Sequence, residues 1–229
     1  MKKILMIVML IGMALGVQAQ TGKKILIAYF SWGGNTQTLA EEIQRQTNAD
    51  IYRIEPLVPY TDDYQTLAYQ ISNKEKEENA RPALKDTLAT INNYDIIFVG
   101  CPVWWFDAPT IIHSFLECKD YDFSGKTIIP FCTYATAAYE TLNDIIHATP
   151  DSDHLDGLGI RGSSSYNPQT IKSWLDRIGI SDIVSGIEKI KVDSVNDKEA
   201  IYGLSGIKLS NLYNATKGIY IVNGKKIMR

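Results

Sequence analysis

The chain has 229 residues, 45% of them hydrophobic, enough to bury a core in one large domain or in one domain with an appendage. Its 26 acidic and 23 basic residues leave a net charge of −3, which argues against nucleic acid as a partner. Three cysteines and three histidines are too few for a disulfide framework and lack the spacing of a metal site.

The start of the chain reads as a leader. Met1, Lys2 and Lys3 are a basic opening, Ile4 to Leu15 is an apolar run, and Val17 to Ala19 is a small-residue cleavage stretch. That order is the pattern of a secretory signal peptide over residues 1–19. The run is short for a bilayer span and no later stretch approaches that length, so the expectation after leader removal is no membrane-spanning segment. Export to the periplasm, the cell surface or the medium follows as an expectation. Without Lys2 and Lys3 the mature chain carries −5, divided unevenly: residues 195–229 carry +4 and residues 20–194 carry −9. An acidic body favours a basic partner through long-range steering.

The first element is a strand, Ile25 to Phe30, apolar throughout. A small polar turn, Ser31 to Thr36, leads into a helical pattern with Leu39 and Ile43 four apart and Glu41 and Glu42 on the other side. A strand that delivers such a turn to a helix N-terminus builds an anion site, because unpaired N–H groups and the positive end of the helix dipole converge there. The natural guest is a phosphate monoester. Lys is missing for a P-loop, and so is the three-glycine spacing of a dinucleotide site. Ser31 does not fit a hydrolase nucleophile elbow, since Tyr29 stands where that elbow needs Gly. A plain strand-to-helix connector capped by Asn35 or Thr36 is the other reading of this turn.

Asp50 to Glu55 alternates as a short strand and is stopped by Pro56. Thr61 to Asp63 opens a helix expected to run to about Asn79, with Leu67 and Ile71 on one face. Asp95 to Gly100 is a continuous apolar strand, Ala108 to Cys118 a helix, Lys126 to Cys132 another apolar strand, and Ala135 to His147 a helix. His154 to Ile160 is a weaker strand and Pro168 to Ile178 a closing helix. Strands apolar throughout are buried on both faces, so the expected architecture is α/β: a doubly wound, five-stranded parallel sheet over residues 20–194. Residues 195–229 read as a small β-hairpin appendage with a turn at Asn223 and Gly224. Cys101 and Cys132 each end a strand and read as buried small apolar residues, with a bridge between them also conceivable.

In such sheets ligands sit outside the carboxyl ends of the strands. Three segments meet there: Ser31 to Thr36, Pro102 to Phe106, and Thr133 to Tyr139. The second holds Trp104, Trp105 and Phe106, which either pack on the neighbouring helix or offer a stacking wall to a planar ring. A phosphate pocket facing an aromatic wall describes a site for a mononucleotide with a large flat ring. No side chain presents itself as a catalytic acid, base or nucleophile, and no metal set is expected.

These residues resemble the flavodoxin family, and most of all its short-chain, single-domain bacterial branch, from about Lys24 to Ile178. Ser31 to Thr36 is similar to the family's phosphate loop, and Pro102, Val103, Trp104 and Trp105 resemble its isoalloxazine loop. The resemblance implies FMN bound without a covalent bond and used for electron transfer or a small flavin oxidoreductase activity. The phosphate would rest on Ser31, Gly33, Gly34, Asn35 and Thr36. The ring would lie against Pro102, Val103, Trp104 and Trp105, with Thr133 and Tyr134 closing the third side. The implied partner is a redox protein or a small-molecule electron donor or acceptor. Two departures stand out: Gly33 replaces a usual Thr, and Thr133 to Ala138 lacks the family's glycines. They leave a second function open, a family scaffold without FMN that binds another ligand or partner. The tail is similar to β-rich C-terminal modules that mark some exported bacterial proteins for secretion.

Overall fold

The computed structural model describes residues 22–185 and the backbone of four short strands between residues 201 and 228. The expected leader, residues 1–19, and the turn at Asn223 and Gly224 lie outside the described residues. The chain divides into two compact units, between residues 188 and 189.

In the first unit, β1 (Ile25–Tyr29) is buried along its whole length. β2 (Asp50–Arg53) and β3 (Ile96–Pro102) flank it, both parallel to it. β4 (Thr127–Tyr134) runs parallel to β3, and β5 (Asp153–His154) pairs with the far side of β4, so the order is β2-β1-β3-β4-β5. This is the expected doubly wound parallel sheet. Side chains alternate between its faces. Ile25, Ile27, Tyr29, Phe98 and Phe131 meet α1 (Asn35–Thr47), α6 (Pro168–Arg177) and α7 (Ile180–Ser185) through Leu39, Ile43, Ile171, Trp174 and Ile180. Leu26, Ala28, Val99 and Ile128 meet α4 (Thr110–Leu116) and α5 (Thr141–His147) through Ile111, Ile112, Phe115 and Ile145. Leu39 and Ile43 are wholly buried, which stabilises α1 on the sheet by roughly 1.5–3 kcal/mol each.

The edge strand departs from expectation. Instead of one strand from His154 to Ile160 there are two, β5 and β6 (Leu158–Arg161), which pair with successive stretches of β4. The cause is Pro130. Even-numbered residues of β4 face this edge, since the carbonyls of Lys126, Ile128 and Tyr134 accept from Asp153, Leu155 and Gly162. Pro130 faces it too but has no N–H to offer, and the edge strand breaks opposite it. Gly157 sits in the break, where a Cβ would lie 2.7 Å from the Pro130 carbonyl oxygen and 2.9 Å from its ring.

A helical arm joins β2 to β3. It consists of α2 (Tyr64–Thr66), one π-helical stretch (Leu67–Ser72) and α3 (Asn73–Glu77). Asp63 starts it by accepting from the Thr66 N–H at 2.8 Å. The helix expected from Ala135 begins only at Thr141. The N–H of Glu140 donates to the carbonyl of Phe106 at 3.1 Å, which draws residues 135–140 into a loop.

Cys101 and Cys132 are register neighbours on β3 and β4, and both are buried free thiols. Burial pushes both upward, Cys132 to about 12.

The second unit is more than the expected hairpin. β7 (Ile201–Gly203), β8 (Lys208–Leu209), β9 (Ile219–Val222) and β10 (Lys225–Met228) form an antiparallel sheet in the order β10-β9-β7-β8. Val222 pairs with Lys225, so two residues connect β9 to β10.

Candidate functional site

The loops after β1, β3, β4 and β6 converge at the carboxyl edge of the sheet around a cavity of about 400 Å³. Nine of the eleven residues singled out in the sequence line it: Ser31, Gly33, Asn35, Thr36, Pro102, Val103, Trp104, Thr133 and Tyr134. The two others are close by. Gly34 is the N-cap of α1, with φ 87°, a left-handed conformation that glycine adopts without strain. Trp105 lines a neighbouring cavity.

The polar end of the first cavity is built for an anion. Gly34 caps α1 without a side-chain hydrogen bond, and no acidic residue occupies the first turn. The leading N–H groups of that thirteen-residue helix therefore lack a side-chain acceptor. Ser31 is 3% exposed, and its Oγ has no hydrogen-bond partner. A buried hydroxyl left in that state costs about 1–3 kcal/mol, which an incoming acceptor would recover. Thr36 Oγ1 and Thr133 Oγ1 lie 2.8 Å apart and tie the first loop to the third. Arg53 Nη2 donates to the Ser31 carbonyl at 3.0 Å and fixes the loop from outside. Tyr166 donates to the Asn35 carbonyl at 3.2 Å. The cavity is lined by one cation, Arg161 at the end of β6, and by no carboxylate.

Sequence reasoning assigned no role to Arg161 or Trp32, which also lines the cavity. Arg161 was hidden because the split of the edge strand brings it there. Trp32 sits inside the predicted loop, and its Nε1 donates to the Thr61 carbonyl at 2.9 Å.

The aromatic end is a reverse turn. Trp104 and Asp107 exchange N–H···O bonds of 3.0 and 3.1 Å across Trp105 and Phe106, whose φ values are 49° and 73°. Two positive φ angles are what the tightest hairpin turn requires, a place usually held by Asn and Gly. Holding bulky residues there costs about 1–2 kcal/mol each. The Lys76 ammonium bonds both the Trp105 carbonyl and the Asp107 carboxylate. Trp104 packs edge-on against Phe30 at 5.3 Å and Tyr60 at 5.2 Å, and still lines the cavity. Trp105 turns instead to the helical arm, where its Nε1 donates to the Ala68 carbonyl at 2.9 Å and to Ser72 Oγ at 3.2 Å. The wide π-helical turn leaves that carbonyl open to a side-chain donor, a use often seen at functional sites.

Behind the turn, Asp144 on α5 accepts from the Ala108 N–H at 3.2 Å and contacts His113 Nε2 at 3.0 Å. Burial alone would raise the Asp144 carboxyl, but the hydrogen bond and charge of His113 and the Ala108 N–H outweigh it and hold it below its ordinary value. Glu117 lies 3.8 Å from His113 Nδ1 and binds Arg81 through both oxygens at 2.7 Å.

A family described as Flavodoxin matches residues 24–178. A proposed flavoprotein from Bacteroides eggerthii is 33% identical, covers 69% of this chain and 98% of its own, and superposes with a TM-score of 0.61. A proposed flavoprotein from Bacteroides uniformis is 32% identical over 68% of this chain and 99% of its own, at a TM-score of 0.60. A flavoprotein from Lactobacillus acidophilus, solved in complex with FMN, shares the fold at 23% identity and a TM-score of 0.53, over 66% of this chain and 98% of its own. No curated protein matches the chain.

Proposed function

The chain belongs to the flavodoxin family, and on that premise we propose that it binds FMN non-covalently and serves in electron transfer or as a small flavin oxidoreductase. The observation that carries this reading is the orphaned Ser31 hydroxyl, buried at the uncapped N-terminus of α1 and in the same cavity as Arg161. A phosphate monoester satisfies all three at once: a hydroxyl and N–H groups donate to its oxygens, and a guanidinium balances its charge. The FMN complex of the Lactobacillus acidophilus relative supports the same cofactor here.

The residues present fit the group. Ser31, the N–H groups after Gly34, Thr36 and Arg161 would hold the phosphate. Val103, Trp104 and Thr133 would border the ring. Bound FMN supplies reversible one- and two-electron chemistry, and the protein supplies position and electrostatics. The Thr36–Thr133 bond keeps the two loops at a fixed separation. No carboxylate lines the cavity to repel the phosphate. The remaining wall is aromatic and apolar, so it excludes water from one side of whatever lies against it.

The test is FMN titration of leaderless protein, followed by flavin fluorescence. Quenching that saturates at one FMN per chain is expected. Absence of quenching at micromolar protein would reject the cofactor and leave a binding scaffold, the reading favoured by the glycine-free third loop.

We further propose export. The basic and apolar opening of the chain supports it, and among the described residues no helix is long and apolar enough to cross a membrane. N-terminal sequencing of protein from the cell envelope should begin at Gln20. A first residue of Met1 in that fraction would contradict cleavage.

A further inference from the structure

A second cavity of about 410 Å³ adjoins the first and shares Trp32, Val103, Trp104 and Ala135 with it. Its rim is unusual. Tyr64, Tyr69, Phe106 and Tyr139 surround it, and each is about half exposed although large and aromatic. A contiguous exposed apolar rim around a concavity marks a place of contact.

The backbone gives an independent sign. Five non-glycine residues in the described chain have positive φ, and three of them, Trp105, Phe106 and Tyr139, line this cavity. Two separate loops thus hold bulky aromatic residues in a conformation that L-residues avoid. Strain of this kind concentrates at ligand clamps. Its result here is an edge-to-face pair, Phe106 on Tyr139, with centroids 4.8 Å apart. Opposite, Tyr69 stands edge-on to Trp105 at 5.8 Å. Lys76 fastens the turn from behind without lining the cavity.

The lining also states the chemistry of the guest. It contains no charged residue, so an ion would leave its water for nothing in return. It contains aromatic faces and edges, which take flat rings by offset or edge-on contact. It also holds three phenols and Thr136, whose hydroxyls can donate to carbonyl oxygens. We propose that this second cavity is a separate binding site for a neutral, planar aromatic carbonyl compound of the quinone class. Its placement beside the flavin rests on the FMN reading above; the binding itself does not.

The probe is 2-methyl-1,4-naphthoquinone, titrated calorimetrically into leaderless full-length protein, both free and saturated with FMN. Naphthoquinone-2-sulfonate, flat but charged, is the control. Saturable binding of the neutral quinone to both forms is expected, with the sulfonate at least about tenfold weaker. Tyr69→Ala and Tyr139→Ala should each weaken the neutral quinone about three- to tenfold, the worth of one aromatic contact. Both side chains lie on the surface, and FMN affinity measured by fluorescence should stay within about twofold. Equal binding by both variants and wild type would overturn the proposal, and so would equal binding of the two quinones. Competition between FMN and the neutral quinone would also overturn it, by assigning the cavity to the flavin ring. If FMN fails to bind at all, the cofactor reading falls, and the titration of the free protein still decides this site.

Discussion

Ser31→Ala separates an anion cradle from a plain connector, because the two readings predict opposite signs. The Ser31 hydroxyl is buried and unpartnered in the ligand-free protein. Removing it there deletes a polar group that costs about 1–3 kcal/mol to leave unsatisfied. Stability should be unchanged or higher, with the melting temperature rising roughly 2–4 °C for each kcal/mol recovered in a chain of this size. Binding moves the other way. A hydrogen bond from this hydroxyl to a phosphate is charge-assisted and contributes about 1.5–3 kcal/mol. Its loss should weaken FMN roughly 10- to 150-fold. Thermal denaturation of the free protein and a fluorescence titration with FMN read the two effects on one preparation. A variant that melts several degrees lower and binds FMN as tightly as wild type would refute the reasoning, since the hydroxyl would then serve the fold and not the ligand.

Three other outcomes follow from the geometry. Gly157→Ala should destabilise the protein by about 1–3 kcal/mol, measured by urea denaturation, because the new Cβ meets the Pro130 backbone at 2.7 Å and neither strand can retreat; a neutral result would remove our explanation of the split edge strand. Asp144 is held below its ordinary value in the folded state, so its contribution is present above about pH 4, the unfolded value, and disappears as the pH falls through the lower folded one. Asp144→Asn should flatten that acid limb in a stability-versus-pH series, and an unchanged limb would show that the carboxylate does not anchor the aromatic turn through Ala108. In the native protein a thiol reagent should modify the half-buried Cys118 first, and Cys101 and Cys132 only on unfolding, since burial raises both thiols; rapid modification of all three would contradict their burial.

Much of the sheet was legible because parallel strands buried on both faces announce themselves as unbroken apolar runs, as Ile25 to Phe30 and Asp95 to Gly100 do. The phosphate loop was legible for a related reason: a small polar turn between such a run and an amphipathic helix has few other uses. What sequence concealed depends on contacts between distant residues. The split of the edge strand follows from the missing N–H of Pro130, some 25 residues earlier in the chain, and it is this split that delivers Arg161 to the pocket. The late start of α5 follows from a hydrogen bond to Phe106 that no helical pattern reveals. Trp105 read as part of the ring wall, yet the wide turn of the helical arm offers its indole N–H two acceptors, and the side chain turns there. Phe106 and Tyr139 carry no local signal at all, since residues of their type are rare at positive φ.

The central claim is that the first cavity recognises a flavin by its phosphate. Native mass spectrometry of the leaderless protein, mixed in turn with FMN and with riboflavin at equal concentration, tests it directly. One FMN adduct per chain is expected, with riboflavin retained far less or not at all. Equal retention of both, or of neither, would contradict the claim.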